Sequence, residues 1–472
     1  MNNKLFYIPI ETKDRELLGK LLLAATLAGR GWFVILGHQT ALRKFAPNFL
    51  PGIYSHISIP EVKYERYIVP YSKIGVKSTC ICEEGVIYSD GEDYCNRKVG
   101  IGALRLTEKF FAVGERQLND IKNFRNAKDN QVVTVGNPRF DVLREKFRAP
   151  YEVMARSIKQ RYGKYILINT NFSRCNPHKG YGDRLSDSKK KGMLISEAQE
   201  ILWHDLLAYK KNTLTNFKQL ISRLSNEFKD FTIVIRPHPS EDHSIWNDLS
   251  GAYGNVIVYA ENSANVWMLG AEVVIHNGCT TGIEGFLLGR PVIAYVPEPD
   301  SEFSSNPANS VSFELQSETD VVDAVKKVLN GLSLDDSSSY ESKRCILKRY
   351  IENIDGPYSC DMIAEEIDEI DVSEFERAEL KNRLRAHRKT ARLTTRSLYT
   401  FVKKIVSKKL GSGDKASVKR QKFPGLSRSD ITEPLMMWHE SKAIASVPTV
   451  DAVDKDFFCI YYEWDSKAKG GL

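Results

Sequence analysis

Short apolar runs alternate with amphipathic helical patterns along the first 330 residues of this 472-residue chain. Residues 5–10 and 32–36 are typical of strands, and residues 14–27 between them carry leucines at helical spacing. Strands that are separated by helices form βαβ units, in which the strands run parallel. The sequence therefore predicts an α/β protein.

The alternation occurs twice, with a break of charged residues at 139–163. A chain of this length exceeds one compact core, and each series is long enough to form a doubly wound sheet. We therefore expect two Rossmann-like domains facing a cleft, followed by C-terminal helices and a basic tail. The expected parts are an N-terminal acceptor domain at 1–150, a C-terminal donor domain at 151–345, helices at 346–380 that return to the first domain, a basic amphipathic segment at 381–424, and an extension at 425–472.

Positive charge is concentrated at residues 381–422, which hold 15 Lys or Arg and one acidic residue. The local net charge is +14 in a chain whose total is +7, so the rest of the chain carries −7. Apolar residues recur at helical spacing from Leu398 to Leu410. Such a helix either binds the anionic surface of the inner membrane or packs its apolar stripe on the protein itself. No recognition motif accompanies the charge, so we expect no nucleic-acid partner.

Neither a membrane span nor a metal centre is expected. No run approaches the roughly 18 apolar residues that cross a bilayer, and the apolar run at 5–10 is too short for a signal peptide. We expect a cytoplasmic protein, peripheral on the membrane if the basic segment binds lipid. The eight cysteines lack disulfide or zinc-ligand spacing, which favours reduced thiols, no metal and no cofactor. No phosphate loop or dinucleotide fingerprint occurs, which disfavours an NTPase or an NAD enzyme.

Candidate ligand-binding residues directly follow predicted strands, because open α/β sheets bind ligands beyond the carboxyl ends of their strands. After the strand that ends at residue 275 come Asn277, Gly278, Thr280 and Thr281, and Glu284 lies one turn into the next helix. The N–H groups of a helix N-terminus together with two hydroxyls form a site for phosphate. The same residues also fit an ordinary capped helix, with Thr280 as N-cap and Glu284 in support.

A second candidate group follows the predicted strand at 231–235. Two prolines hold the chain extended there, so Arg236 and His238 should project at fixed positions, with Pro239 beside them. A guanidinium and an imidazole suit an anionic leaving group, and a protonated histidine can serve as general acid.

Three further groups are weaker candidates. Glu83 and Glu84 follow the strand at 77–81, where one carboxylate could act as general base while the other binds substrate or caps a helix. The pairs Asn137 with Arg139, and Asn169 with Asn171, follow strands where the two halves are expected to face each other. Turn formation explains both of these pairs equally well.

Taken in order, these segments resemble bacterial surface carbohydrate biosynthesis proteins. The resemblance is carried by residues 9–21, 136–141, 169–172, 236–240 and 279–284. It implies a bacterial glycosyltransferase of the two-domain GT-B fold that works without a metal. On this basis we expect five residues to face the acceptor or the cleft, namely Lys13, Arg15, His38, Asn137 and Arg139.

A looser similarity concerns the donor. Bacterial sialyltransferases and Kdo transferases that use CMP-sugars carry an acidic-acidic-Gly motif, then a His-Pro motif, then a Ser/Thr pair. The chain has Glu83-Glu84-Gly85, His238-Pro239 and Thr280-Thr281 in that order. The similarity implies that His238, Thr280 and Thr281 bind the donor phosphate. It also implies that one of the two glutamates is the acid/base that faces the acceptor hydroxyl.

Three hypotheses follow. The first is a glycosyltransferase of capsule or O-antigen assembly that transfers a Kdo-like or nonulosonic sugar from a CMP-activated donor to a saccharide or lipid-linked acceptor. The second keeps the fold but uses another donor, as a UDP-sugar transferase, a UDP-sugar 2-epimerase or a CDP-glycerol-type polyol-phosphate transferase. The third is a non-catalytic scaffold of an assembly complex.

Overall fold

Two sheets organise the chain, one in each of two compact units; the sheet of unit 1 is mainly parallel and that of unit 2 is fully parallel. A computed structural model describes residues 4–46, 50–88, 90–178, 186, 196–299, 303–304, 306–372, 423–454 and 456–462. Unit 1 comprises Met1–Pro150 and Lys348–Leu472, and unit 2 comprises Tyr151–Leu347. The predicted basic segment at 381–424 lies, except for its last two residues, outside the described residues.

The sheet of unit 1 has eight strands in the order β13-β14-β2-β1-β3-β4-β5-β6. Strands β1 to β6 are parallel, whereas β14 is antiparallel to β2 and to β13. The strands are β1 (Leu5–Ile10), β2 (Phe33–His38), β3 (Gly52–His56), β4 (Val76–Ile81), β5 (Thr107–Ala112), β6 (Val132–Thr134), β13 (Thr449–Asp454) and β14 (Phe457–Tyr461).

The helices of unit 1 connect these strands and cover the sheet. They are α1 (Lys13–Gly29), α2 (Gln39–Phe45), α3 (Val69–Lys73), α4 (Gly91–Lys98), α5 (Ile101–Arg105), α6 (Glu115–Arg125), α7 (Pro138–Asp141), α16 (Ser359–Asp368) and α17 (Ser429–Glu440). A 3₁₀ turn at Glu61–Lys63 and a π-helical turn at Tyr64–Ile68 precede α3. Helix α16 packs on α1, and its Asp368 accepts a hydrogen bond from the Trp32 indole at 2.8 Å.

The sheet of unit 2 has six parallel strands in the order β12-β11-β10-β7-β8-β9. The strands are β7 (Tyr165–Asn169), β8 (Thr232–Arg236), β9 (Val256–Val258), β10 (Val273–His276), β11 (Val292–Tyr295) and β12 (Phe313–Leu315). The helices are α8 (Ala149–Tyr162), α9 (Glu197–Glu227), α10 (Ser244–Ala252), α11 (Ala264–Gly270), α12 (Thr280–Leu287), α13 (Pro307–Ser310), α14 (Glu318–Leu329) and α15 (Ser337–Lys348).

Continuous burial explains the central strands of unit 2. Every residue of β7 is buried, and Ile166 and Ile168 pack with α9 residues such as Phe217 in the core of the unit. Burying an aliphatic side chain contributes about 1.5–3 kcal/mol to the stability of the fold. A strand that is buried on both faces therefore has an unbroken run of apolar residues. That run is the signal from which the sequence predicts β7, β8 and β10.

The predicted α/β class with two Rossmann-like domains is confirmed by these two sheets. The cleft expected between the domains stays a prediction. The sequence did not predict the strands β3, β12 and β13, the C-terminal helix α17 or several of the shorter helices. The strand predicted at 457–462 forms, as β14, but it is not at the sheet edge, because β13 covers it.

Candidate functional site

Three strand ends of unit 2 meet at one edge of its sheet. Asn169, the last residue of β7, is the register partner of both His276 at the end of β10 and Arg236 at the end of β8. The chain proceeds from β7 outward through β8 and β9 and then returns to place β10 on the other side of β7. The switch point therefore lies between β7 and β10, which is where open α/β sheets bind ligands.

The turn after β10 is fixed by a buried histidine. His276 Nδ1 accepts the Gly278 N–H at 3.0 Å, so Nε2 carries the proton and donates it to Ser312 Oγ at 2.8 Å. Burial lowers the pKa of His276 to about 3, so the ring stays neutral. Gly278 has a φ of +79°, a conformation that favours glycine. This arrangement holds the start of α12 at the switch point.

The first turn of α12 has no side-chain cap. The N-cap residue is Cys279, not Thr280, and its side chain forms no capping hydrogen bond. The Cys279 thiol instead lies 2.7 Å from Thr281 Oγ1. Thr280 is the first helical residue, and Glu284 is buried within the helix. Of the two interpretations of this segment, the capped helix is thus not the one that forms, and the helix N-terminus remains available to an anion.

Two asparagines beside this helix have buried amide atoms without partners. Asn169 Nδ2 and both amide atoms of Asn277 form no hydrogen bond among the described residues, and the two side chains are 3% and 6% exposed. Such atoms are uncommon in folded proteins, and each costs about 1–3 kcal/mol when nothing binds it. Their position at the switch point indicates a binding site for a polar ligand. Asn171, also predicted here, is half-buried in the loop after β7.

Glu241 ties the loops after β7 and β8 together, and sequence reasoning assigned it no role. Its carboxylate accepts hydrogen bonds from Thr170 Oγ1 at 2.9 Å, from the backbone N–H groups of Phe172 and His238, and from the Trp246 indole. Burial raises the pKa of Glu241 despite these donors. The signal available in the sequence was its place three residues after His238, within reach of that residue's N–H.

His238 and Pro239 are exposed at the same edge of the sheet. His238 Nδ1 accepts the Ser240 N–H at 3.1 Å, so the neutral ring carries its proton on Nε2. Arg236 was predicted to bind an anionic leaving group. In the structure its guanidinium instead donates hydrogen bonds to the backbone carbonyls of Glu261, at 2.7 Å, and Asn262. The arginine thus supports the loop after β9.

In unit 1 the structure brings four predicted residues into one buried network. Glu83 lies 3.4 Å from the Lys20 ammonium, 3.5 Å from Asn137 Nδ2, and its carbonyl accepts from Arg139 at 3.2 Å. Glu16 joins the network, because it binds Lys20 at 2.7 Å and Arg15 at 3.0 Å. The opposite charges hold the pKa of Glu16 at about 2 although burial acts to raise it. Lys20 and Glu16 were not predicted as site residues.

The remaining predicted residues of unit 1 lie outside this network. Glu84 is exposed and forms an ion pair with Lys98. Lys13 forms an ion pair with Asp430 of α17 at 2.7 Å, and the His38 ring stacks on Phe423 with 4.3 Å between ring centroids. Lys13 and His38 therefore contact the C-terminal part of the chain, which the sequence patterns gave no reason to expect.

The described ranges contain neither a candidate metal centre nor a candidate membrane span. There, no group of three or more His, Cys, Asp or Glu side chains is placed to hold a metal ion. No helix in the same ranges combines the length and the apolar character needed to cross a membrane.

Comparisons with known proteins give only distant likenesses. No protein-family model matches the sequence, and no curated protein matches it. S. aureus MnaA in complex with UDP is 12% identical over 78% of this chain and 96% of its own, with a TM-score of 0.46. The UDP-GlcNAc 2-epimerase of Neisseria meningitidis bound to UDP-GlcNAc is 14% identical over 77% and 99%, with a TM-score of 0.46. A variant of the wall teichoic acid polymerase TagF is 12% identical over 79% and 88%, with a TM-score of 0.48. At such scores we base no conclusion about this chain on them.

Proposed function

We propose that this protein is a transferase of bacterial surface polysaccharide assembly that binds the phosphate of a nucleotide-activated donor at the switch point of unit 2. One observation carries the proposal, namely the unpartnered buried amides of Asn169 and Asn277 beside the uncapped N-terminus of α12. Amide donors together with helix N–H groups are the usual partners of a phosphate oxygen. The assignment to surface polysaccharide assembly is based on the resemblance of the sequence to bacterial surface carbohydrate biosynthesis proteins.

The chemistry follows from where charge develops. When the bond between the donor group and the phosphate breaks, negative charge builds on the phosphate oxygen. The α12 N-terminus and the hydroxyls of Thr280 and Thr281 stabilise that charge, and the exposed His238 donates a hydrogen bond through Nε2. These groups need no metal ion to act, because helix N–H groups and hydroxyls are themselves donors to an oxyanion.

Glu84 is the better acid/base of the two glutamates in this proposal. Glu83 is buried and already engaged with Lys20 and Asn137, so a proton on it would break an ion pair. Glu84 is exposed, and its ion pair with Lys98 is at the surface, where such pairs contribute little. A carboxylate of this kind can accept the proton of an acceptor hydroxyl.

The sequence motifs favour a CMP-activated Kdo-like or nonulosonic sugar as donor. A nucleoside diphosphate donor, such as a UDP-sugar or CDP-glycerol, is the second candidate. It is favoured by the extent of the polar edge, which runs over the ends of three neighbouring strands, β10, β7 and β8. With strands about 4.8 Å apart, this edge is long enough for two linked phosphates.

Nucleotide binding by calorimetry tests the proposal. We expect CMP, CDP or UDP to bind the full-length protein equally well with and without EDTA. Asn277→Ala should weaken binding about tenfold, because one hydrogen bond to a charged group contributes about 1.5–3 kcal/mol. Asn247→Ala, which alters an exposed residue of α10, is the matched control and should bind like the wild type. Binding by none of the nucleotides would refute the proposal and favour a non-catalytic scaffold.

A further inference from the structure

Lys210 lies beside the proposed phosphate site and has no role in the mechanism above. It belongs to α9, and its backbone carbonyl accepts a hydrogen bond from the Cys175 thiol at 3.5 Å. The same thiol lies 3.4 Å from the Phe172 carbonyl, in the loop that follows β7. Two contacts through one side chain therefore fix this turn of α9 against the loop that leaves the switch point.

Among the residues that the structure describes, the charge of Lys210 has no anionic partner. Its ammonium forms no ion pair and no hydrogen bond with any residue that the structure describes. Burial lowers the pKa of Lys210, and the Cys279 thiol at the start of α12 is near enough to act in the opposite direction. Glu241 is the nearby carboxylate, but it already accepts hydrogen bonds from three elements of the fold. Lys210 is half-buried, and a partly desolvated ammonium without an anionic partner in the described ranges favours the binding of an anion.

A second cation accompanies Lys210. The positive charge of Arg174, in the loop after β7, also lowers the pKa of Lys210, so the two groups are close enough to repel each other. The Arg174 guanidinium lies over the Trp203 ring, 5.0 Å from its centroid, and this contact places it about two turns before Lys210 along α9. Arg236, the cation that the sequence favoured, is occupied by two backbone carbonyls instead.

We propose that Lys210 and Arg174 form a cationic subsite that binds phosphate oxygens next to the N-terminus of α12. This inference rests on the proposed function and specifies its ligand. Two cations beside a helix N-terminus match the two negative charges of a diphosphate, whereas the phosphodiester of a CMP-sugar carries only one. The subsite therefore selects a nucleoside diphosphate donor over a nucleoside monophosphate donor. Asn277 and Asn169, whose buried amide atoms have no partner among the described residues, lie at the same switch point.

Calorimetric titration with CDP, UDP, CMP and pyrophosphate tests this subsite in the full-length protein. Lys210→Gln should weaken the binding of CDP or UDP at least tenfold, and Lys210→Arg should recover most of it, because the charge is kept. Lys211→Gln is the matched control, since its exposed side chain neighbours Lys210 on the same helix. Arg174→Gln should also weaken diphosphate binding. The effect of Lys210→Gln should be smaller in high salt, as expected for a charge interaction.

The outcomes separate this inference from the proposed function. Nucleotide binding that Lys210→Gln leaves unchanged would overturn the subsite but keep the function, and so would a preference for CMP over both CDP and UDP. Pyrophosphate binding that depends on Lys210, without binding of any nucleotide, would support the subsite and overturn the function. Binding of neither probe by the wild type would overturn both. Thermal melting curves of each variant show whether it is folded.

Discussion

Glu16 and Glu241 are both buried carboxylates, but their neighbours give them opposite ionisation. Burial acts to raise the pKa of each. At Glu16 the charges of Lys20 and Arg15 prevail and lower the pKa to about 2, whereas at Glu241 neutral and backbone donors do not, and the pKa is raised. Glu16 thus belongs to an ion network that stabilises unit 1. Glu241 is a positioning residue that fixes the loops after β7 and β8, around the proposed phosphate site.

Acid titration tests the network around Glu16. Its pKa is about 2 in the folded protein against an ordinary value of 4.5, so the ionised form stabilises the fold. This stabilisation is complete above pH 4.5 and is lost as the pH falls towards 2, with a total of about 3 kcal/mol. Urea unfolding at a series of pH values should show the loss in the wild type. Glu16→Gln should be less stable at pH 7 and show a flatter decline in acid; an unchanged slope would contradict the assignment.

At the residue scale the sequence predicted where candidate site residues lie in the fold, but not which contacts they form. Asn277, Thr280 and His238 were predicted because they follow strands, and they lie at the strand ends of unit 2. The sequence did not reveal that Arg236 is bonded to carbonyls or that Glu83 is bonded to Lys20. Lys210 escaped notice because it lies in the middle of a long helix, where a lysine is usually solvated.

At the scale of elements, a single glycine allows two helices of unit 1 to pack with their backbones in close contact. Helix α1 packs on α7 at Gly19, where a Cβ atom would lie 2.7 Å from the backbone nitrogen of Arg139. Asn137 caps α7 by accepting the N–H of Arg139 at 3.0 Å. Gly19 therefore sets the distance between α1 and the Asn137–Arg139 segment, and with it the geometry around Glu83.

Gly19→Ala should disturb this packing. The added methyl group meets backbone atoms rather than a movable side chain, so we expect a loss of about 1–3 kcal/mol in unfolding free energy. Gly29→Ala in the same helix is the matched control, since the nearest atom to its Cβ would be 4.0 Å away. That change should be neutral or slightly stabilising, because alanine favours helices. Equal effects of the two substitutions in urea titrations would contradict the close approach at Gly19.

Whether a strand could be predicted depended on whether its buried residues form a recognisable apolar run in the sequence. Strands β7, β8 and β10 are apolar runs buried in the sheet centre, and all three were predicted. Strand β3 begins at Gly52 and includes Ser55, so it lacks such a run although all its residues are buried. Of the hairpin formed by β13 and β14, only β14 was predicted, because β13 carries Asp451 and Asp454, charges of the kind that edge strands tolerate.

On the scale of the whole molecule, the C-terminal part of the chain returns to complete the sheet of unit 1. Strand β14 pairs with β2 from Phe457 opposite Gly37 to Ile460 opposite Val34. Helix α17 is anchored by Trp438, whose indole donates to the Phe147 carbonyl at 2.7 Å. Removing everything after residue 376 would therefore remove part of the fold along with the basic segment.

Substitution is the better test of the basic segment for this reason. We expect the protein to bind vesicles that contain anionic lipid and to release them in high salt. Replacing Lys403, Lys404, Lys408 and Lys409 by glutamine should weaken vesicle co-sedimentation by at least tenfold, since each charge near the surface contributes about 1 kcal/mol. Equal sedimentation of the two proteins, both folded by circular dichroism, would contradict a membrane role and favour packing on the protein itself.

The structure of a nucleotide complex tests the central claim most directly. The account predicts a phosphate oxygen within hydrogen-bonding distance of the first N–H groups of α12, with Asn277 and Lys210 as further donors. A nucleotide bound at the opposite edge of the sheet would contradict it, for example in the cavity of about 500 Å³ lined by Phe286, Arg290 and Tyr340. So would a nucleotide that leaves the amide of Asn277 unbound.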